Sequence, residues 1–113
     1  MVKIRKEISL EDAERILADV KPECCFWINN GPIIRNLQEM TNTLAYMSEE
    51  TFKHHVNEQK NDIANWIRDV LKDEELADDI GKNMSKETIL KKIKNRMKFL
   101  ENKIEKERLL ISK

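Results

Sequence analysis

The chain has 113 residues, of which 40% are hydrophobic and 37% are charged, and it contains only two glycines and two prolines. This length allows one domain with a modest core, and the scarcity of turn residues favours helices over a sheet. No apolar run approaches the ~20 residues of a membrane span, and the N-terminus lacks the apolar core of a signal peptide. We therefore expect a cytoplasmic, all-α protein that does not enter a membrane.

The formal net charge is zero, but the charges are unevenly distributed along the chain. Residues 1–85 hold 11 Lys and Arg against 17 Asp and Glu, whereas residues 86–113 hold 10 against 4. We expect an acidic helical core in residues 1–84 and a long, basic, amphipathic helix in residues 85–113, both within a single domain.

The first third of the chain contains one predicted helix and one apolar run. The helix is predicted to begin after Ser9, a hydroxyl N-cap, and to end before Pro22. Residues 24–28 are five apolar residues in a row, but a single short strand has no evident partner, so we predict an extended segment that lies across the helices. Asn30 and Gly31 then favour a turn.

Four further helical segments are predicted before residue 81, the third of which carries the apolar stripe around Trp66. N-cap residues are expected at Asn36, Ser48 and Asp73, each followed by apolar residues at helical spacing. Trp66 lies in the densest of these apolar stripes, and we expect both Trp66 and Trp27 to be core anchors. If either ring is exposed, it becomes a candidate contact for a binding partner. With the C-terminal helix, these segments predict a small bundle of about five helices with no significant sheet.

The C-terminal segment opens with Ser85 as an N-cap and carries apolar residues at alternating spacings of three and four, the pattern of a coiled-coil seam. The seam comprises Leu90, Ile93, Met97, Leu100, Ile104 and Ile111. A helix from 86 to 111 would be ~39 Å long, which is longer than the rest of the chain could cover. Part of its apolar face therefore needs a partner, either the N-terminal helix folded back on it or a second copy of the chain, and we expect a homodimer through this helix.

Polar and aromatic residues in the middle of the chain are candidates for ligand or partner contacts. They are Trp27, Asn30, Gly31, His54, His55, Asn57, Asn61, Asp62 and Trp66. On a continuous helix His55 and Asp62 would share a face, so a small-ligand or enzymatic site around His55, Asn57 and Asp62 is one hypothesis. The alternative is structural: Asn61 or Asp62 caps the Trp66 helix while His55 bonds a backbone group.

Metal and cofactor chemistry have little support in the sequence. Adjacent histidines point about 100° apart on a helix, and no further His or Cys lies at ligand spacing. We expect no metal, no cofactor and no catalytic residue.

The basic residues of the last helix are a possible surface for an anionic partner. The candidates are Lys91, Lys92, Lys94, Arg96 and Lys98. Nucleic acid is one hypothesis, and an acidic protein is another. Because the cations are spread over three faces and no nucleic-acid-reading motif accompanies them, we favour a non-catalytic protein-interaction or adaptor module.

Four stretches carry a family likeness: FWINNGPI from residue 26, MSEETF from residue 47, HVN from residue 55 and NDIANWIRDVL from residue 61. In this order they resemble a family of small, uncharacterised prokaryotic domains with frequent archaeal members, which is labelled only as a domain of unknown function. The resemblance covers roughly residues 24–80. It implies a small helical domain and no established activity, and the basic helix after residue 84 lies outside it.

Overall fold

The computed structural model describes residues 7–82 and 84–111. The helices are α1 (Leu10–Leu17), α2 (Leu37–Tyr46), α3 (Glu49–His55), α4 (Asp62–Trp66), α5 (Glu74–Ile80) and α6 (Lys86–Ile111). The shorter elements are a 3-10 turn (Pro22–Cys24), the strands β1 (Phe26–Trp27) and β2 (Ile33–Ile34), and a π-helical segment (Ile67–Leu71) that continues α4. The mostly helical class with a long C-terminal helix is therefore confirmed.

The expectation of no sheet is wrong. β1 and β2 pair in an antiparallel hairpin, with Phe26 opposite Ile34 and Trp27 opposite Ile33. Because successive side chains of a strand point to opposite faces, Phe26 and Ile34 are buried whereas Trp27 and Ile33 are exposed. The apolar run does have a partner strand, and Trp27 is not a core anchor.

The turn of this hairpin is held by close packing as well as by backbone geometry. The Gly31 N–H donates to the Ile28 carbonyl at 3.0 Å, and Asn30 occupies the left-handed region with φ of 58°. Gly31 is needed for space, because a Cβ there would lie 2.6 Å from Cγ2 of Ile28. The predicted turn is confirmed, but Asn30 takes the left-handed conformation and Gly31 makes the close approach.

Each α-helix described in the structure begins at a side-chain N-cap. In every case the cap oxygen accepts the backbone N–H three residues later, which satisfies one of the donors that a helix start leaves without a partner. The caps are Ser9, Asn36, Ser48, Asn61, Asp73 and Ser85.

The core lies where α6 packs against α1, α2 and α5. The buried stripe of α6 begins at Ile89, one residue before the predicted Leu90, and continues through Ile93, Met97 and Leu100. Leu90 and Ile104 are partly buried against the core, and Ile111 is 72% exposed. The chain thus covers most of its own seam, which removes much of the reason for expecting a second copy there.

No described helix combines the length and apolar character that a bilayer crossing requires.

Candidate functional site

The sequence candidates fall into two groups in the structure. Trp27, Asn30 and Gly31 are exposed on the hairpin, and the rest lie around the connection between α3 and α4. The two groups meet where the hairpin turn packs against His55.

His55 is buried and uses both ring nitrogens within the chain. Its Nε2 lies 3.0 Å from the backbone N of Asn29, and its Nδ1 lies 3.1 Å from Oδ2 of Asp62. A backbone N–H can only donate, so Nε2 is the acceptor and Nδ1 carries the proton that is donated to Asp62. This arrangement corresponds to a neutral imidazole with neither nitrogen free for a metal or a substrate proton.

Asp62 is held in its ionised form by its neighbours. Burial raises the pKa of this carboxyl, but hydrogen bonds from Lys60 and His55, together with the positive charge of Lys60, outweigh burial and bring the pKa below its ordinary value. Lys60 Nζ lies 3.0 Å from Oδ2 of Asp62, the same oxygen that His55 contacts. An acceptor of this kind orients His55 and has no proton to give to a substrate.

Asn57 organises the loop between α3 and α4. Its Oδ1 accepts the backbone N–H groups of Gln59 and Lys60 at 2.9 and 3.2 Å. Its Nδ2 donates to the carbonyl of Lys53 at 2.9 Å. All three bonds close the loop locally, so Asn57 does not face His55 and Asp62 across a shared pocket.

Asn61 joins two helix ends. Its Oδ1 accepts the Ala64 N–H at 2.9 Å and its Nδ2 donates to the Ile80 carbonyl at 2.7 Å. It therefore caps the start of α4 and the end of α5 together. The structural hypothesis is confirmed: Asn61 is the cap of the Trp66 helix, and His55 bonds a backbone group.

Trp66 is a core anchor, as predicted. Its Nε1 donates to the Cys24 carbonyl at 2.8 Å, and its ring meets Phe26 edge to face at 5.9 Å between centroids. Phe26 also lies 5.1 Å from the His55 ring. His54, by contrast, is exposed. Residues 7–82 and 84–111 contain no group of three or more His, Cys, Asp or Glu side chains placed to hold a metal ion.

The assignment of Arg96 to the basic surface is wrong. Its side chain is 5% exposed, and Nε and Nη2 bind the two carboxylate oxygens of Asp73 at 2.8 and 2.9 Å. Nη1 reaches Glu75 at 3.2 Å, and the guanidinium lies 5.1 Å from the Phe99 ring centroid. Arg96 is therefore a buried structural cation.

The remaining lysines of the predicted basic surface do lie at the surface. Lys91, Lys94 and Lys98 are exposed, and their spacing of three and four places them on one helical face. Lys92 forms an ion pair with Asp79 at 3.0 Å. Binding of nucleic acid or an acidic protein by this face stays a prediction.

Sequence reasoning missed a surface cleft of about 320 Å³ beside the hairpin turn, which we term the turn cleft. Residues 28–32 form one wall. The other wall comes from α2 and the start of α3: Asn42, Thr43, Tyr46, Met47, Ser48 and Thr51. Only Asn30 and Gly31 of this cleft were candidates, because the other lining residues carry no motif and are brought together by the fold.

No protein-family model, curated protein or solved structure matches this chain. The resemblance of residues 24–80 to the uncharacterised prokaryotic family stays a prediction.

Three of the four stretches that carry the resemblance meet at one contact. Phe26, His55 and Trp66 pack together beneath the hairpin, and Asp62 fixes the His55 ring from the opposite side. Trp27, the neighbour of Phe26 on the same strand, faces outward and is 71% exposed.

Proposed function

We propose that this protein is a non-catalytic protein-binding module whose contact surface is the outer face of the hairpin. The observation that carries the proposal is the 71% exposure of Trp27, directly opposite Ile33, which is 47% exposed. Tryptophan is enriched among the residues that dominate binding energy in protein interfaces. An exposed tryptophan beside an exposed isoleucine offers a partner a compact apolar contact.

The reverse face of the hairpin supports the proposal by holding Trp27 in place. Phe26 is buried against Trp66 and His55, and the Asn29 N–H is bound by His55. A contact residue fixed in this way loses less conformational entropy when a partner binds.

The use of the polar candidates within the fold also favours binding over catalysis. His55, Asn57, Asn61 and Asp62 each direct their hydrogen-bonding atoms to other groups of the chain. They do not converge on an open space where a substrate atom could lie next to both a base and a stabilising donor.

Site-specific photocrosslinking tests the proposal. A photoreactive phenylalanine analogue is placed at position 27 and, as the matched control, at the exposed position of Glu14 on α1. We expect position 27 to give a discrete crosslinked species in native extract. An excess of unlabelled wild-type protein should suppress this species, whereas an excess of Trp27→Ala protein should not. Equal crosslinking from both positions, or equal competition by both proteins, would contradict the proposal. The Trp27→Ala protein should unfold at nearly the wild-type urea concentration, because the ring is exposed.

Self-association through α6 is a second candidate, now confined to the final turn. Leu109, Leu110 and Ile111 are 60%, 67% and 72% exposed, and a second copy would shield them from water. Sedimentation equilibrium at high micromolar concentration should then show a dimer that Leu110→Lys weakens and Lys98→Leu does not. A strict monomer would exclude this candidate.

A further inference from the structure

We propose that the turn cleft binds an extended peptide segment without charged side chains, recognised through its backbone amides. This inference rests on the proposed function, because the segment would belong to the partner that packs on Trp27.

The character of the lining points to an uncharged ligand. None of the eleven residues that line the cleft is charged, whereas 37% of the residues in the whole chain are charged. A charged group that enters such a site finds no opposite charge among the lining side chains. The volume of about 320 Å³ falls at the lower end of the range of ligand pockets, roughly 300–1,000 Å³, and suits a few residues of peptide.

Side-chain amides supply the recognition chemistry. Asn29 and Asn30 are exposed, and in the described part of the chain their carboxamides form no hydrogen bond. A carboxamide presents an acceptor and a donor in one plane, which matches the C=O and N–H of a peptide unit. Two adjacent asparagines can therefore bind an extended backbone whatever its sequence.

Apolar side chains of the same peptide have places to pack. Ile28 and Met47 form a buried floor, each 7% exposed, and the Tyr46 ring stands at the rim with 91% exposure. The Cα atoms of Trp27 and Asn29 are at most ~7 Å apart, so the cleft begins two residues along the chain from Trp27. A saccharide would meet the amides but has no aliphatic side chain for Ile28 or Met47.

The wall that carries the asparagines is already ordered. Asn29 is bound to His55 through its backbone N–H, and Gly31 closes the turn onto Ile28. Binding therefore requires little rearrangement of the backbone.

Amide NMR of the ¹⁵N-labelled full chain tests the inference with defined probes. The first is a five-residue peptide of alternating alanine and leucine, acetylated and amidated so that it carries no charge. We expect it to shift the backbone signals of Asn30, Gly31 and Thr43. N-methylation of the central peptide nitrogens should weaken binding about fivefold, the equivalent of one net hydrogen bond, and a central lysine or glutamate should weaken it at least as much.

Two variants provide the matched comparison. Asn30→Asp introduces a charge into the cleft while keeping a residue that tolerates positive φ, and we expect it to lose the uncharged peptide. Asn65→Asp adds the same charge at an exposed position on α4 and should bind as the wild type does. Equal binding of charged and uncharged peptides, no shift at millimolar peptide, or shifts with maltose but not with peptide would each overturn the inference.

These results separate the two proposals. If position 27 gives no specific crosslink but the peptide still shifts the NMR signals, the contact surface on the outer face is rejected and the cleft is retained. Retained crosslinking without peptide shifts would reject the cleft alone.

Discussion

Replacing Arg96 with methionine tests the energetic role of the buried ion pair. The two side chains of the pair are 5% and 2% exposed, and both carboxylate oxygens of Asp73 bind the guanidinium, at 2.8 and 2.9 Å. Methionine fills a similar space but leaves the carboxylate with only the Leu76 N–H at 3.2 Å. Removing one partner of such a pair costs about 3–5 kcal/mol, because the other charge stays buried. That is a large share of the ~5–15 kcal/mol that stabilises a typical domain.

The same helix provides the control for this measurement. Lys92 binds Asp79 at 3.0 Å, but those side chains are 31% and 52% exposed, so Lys92→Met should cost no more than about 1 kcal/mol. Urea unfolding followed by far-UV circular dichroism gives both free energies. Asp73→Asn added to Arg96→Met should recover much of the loss, because asparagine keeps the cap of α5 and removes the buried charge. The reasoning fails if Arg96→Met costs as little as Lys92→Met, or if the double variant is no more stable than Arg96→Met.

Three further predictions concern Gly31 in the hairpin turn, the Asn61 cap of α4 and the carboxyl of Asp62. Gly31→Ala should cost about 1–3 kcal/mol through overpacking, since its Cβ would meet Ile28 at 2.6 Å; an unchanged urea midpoint would disprove the close approach. Asn61→Ala should destabilise more than Asn61→Ser, because serine keeps the cap acceptor for the Ala64 N–H and loses only the bond to the Ile80 carbonyl; equal losses would argue against the double cap. The pKa of the Asp62 carboxyl is lowered in the folded state, so the folded protein binds a proton at Asp62 less readily than the unfolded chain does. The ionised Asp62 therefore contributes its full stabilisation of the fold above the ordinary carboxyl pKa of 3.8, and this contribution is lost as the pH falls through the lowered pKa. The free-energy difference between wild type and Asp62→Asn should shrink from about pH 6 to about pH 2, and a constant difference would contradict this.

The helix starts could be predicted from sequence because a cap is a local interaction. Asn36, Ser48 and Ser85 each accept an N–H only three residues away, so the short sequence window contains both partners. The hairpin could not be predicted in the same way. Each strand has two residues, too few for an alternating pattern to stand out, and pairing depends on how the turn folds back.

The burial of Arg96 was missed for a related reason. A charged residue in a lysine-rich helix predicts a solvated face, and what buries it is Asp73, 23 residues earlier in the chain. The seam prediction erred by one residue at its start, where Ile89 is fully buried and Leu90 is only partly buried against the core. The turn cleft needed three separate segments to be placed side by side, which no single stretch indicates.

The double cap at Asn61 has a consequence for how the molecule opens. One side chain binds the Ala64 N–H in the first turn of α4 and the carbonyl of Ile80, the last residue of α5, so neither helix can fray at that end without releasing the other. We expect the backbone amides of the two helices to share one protection free energy in native-state hydrogen exchange, as a single cooperative opening unit.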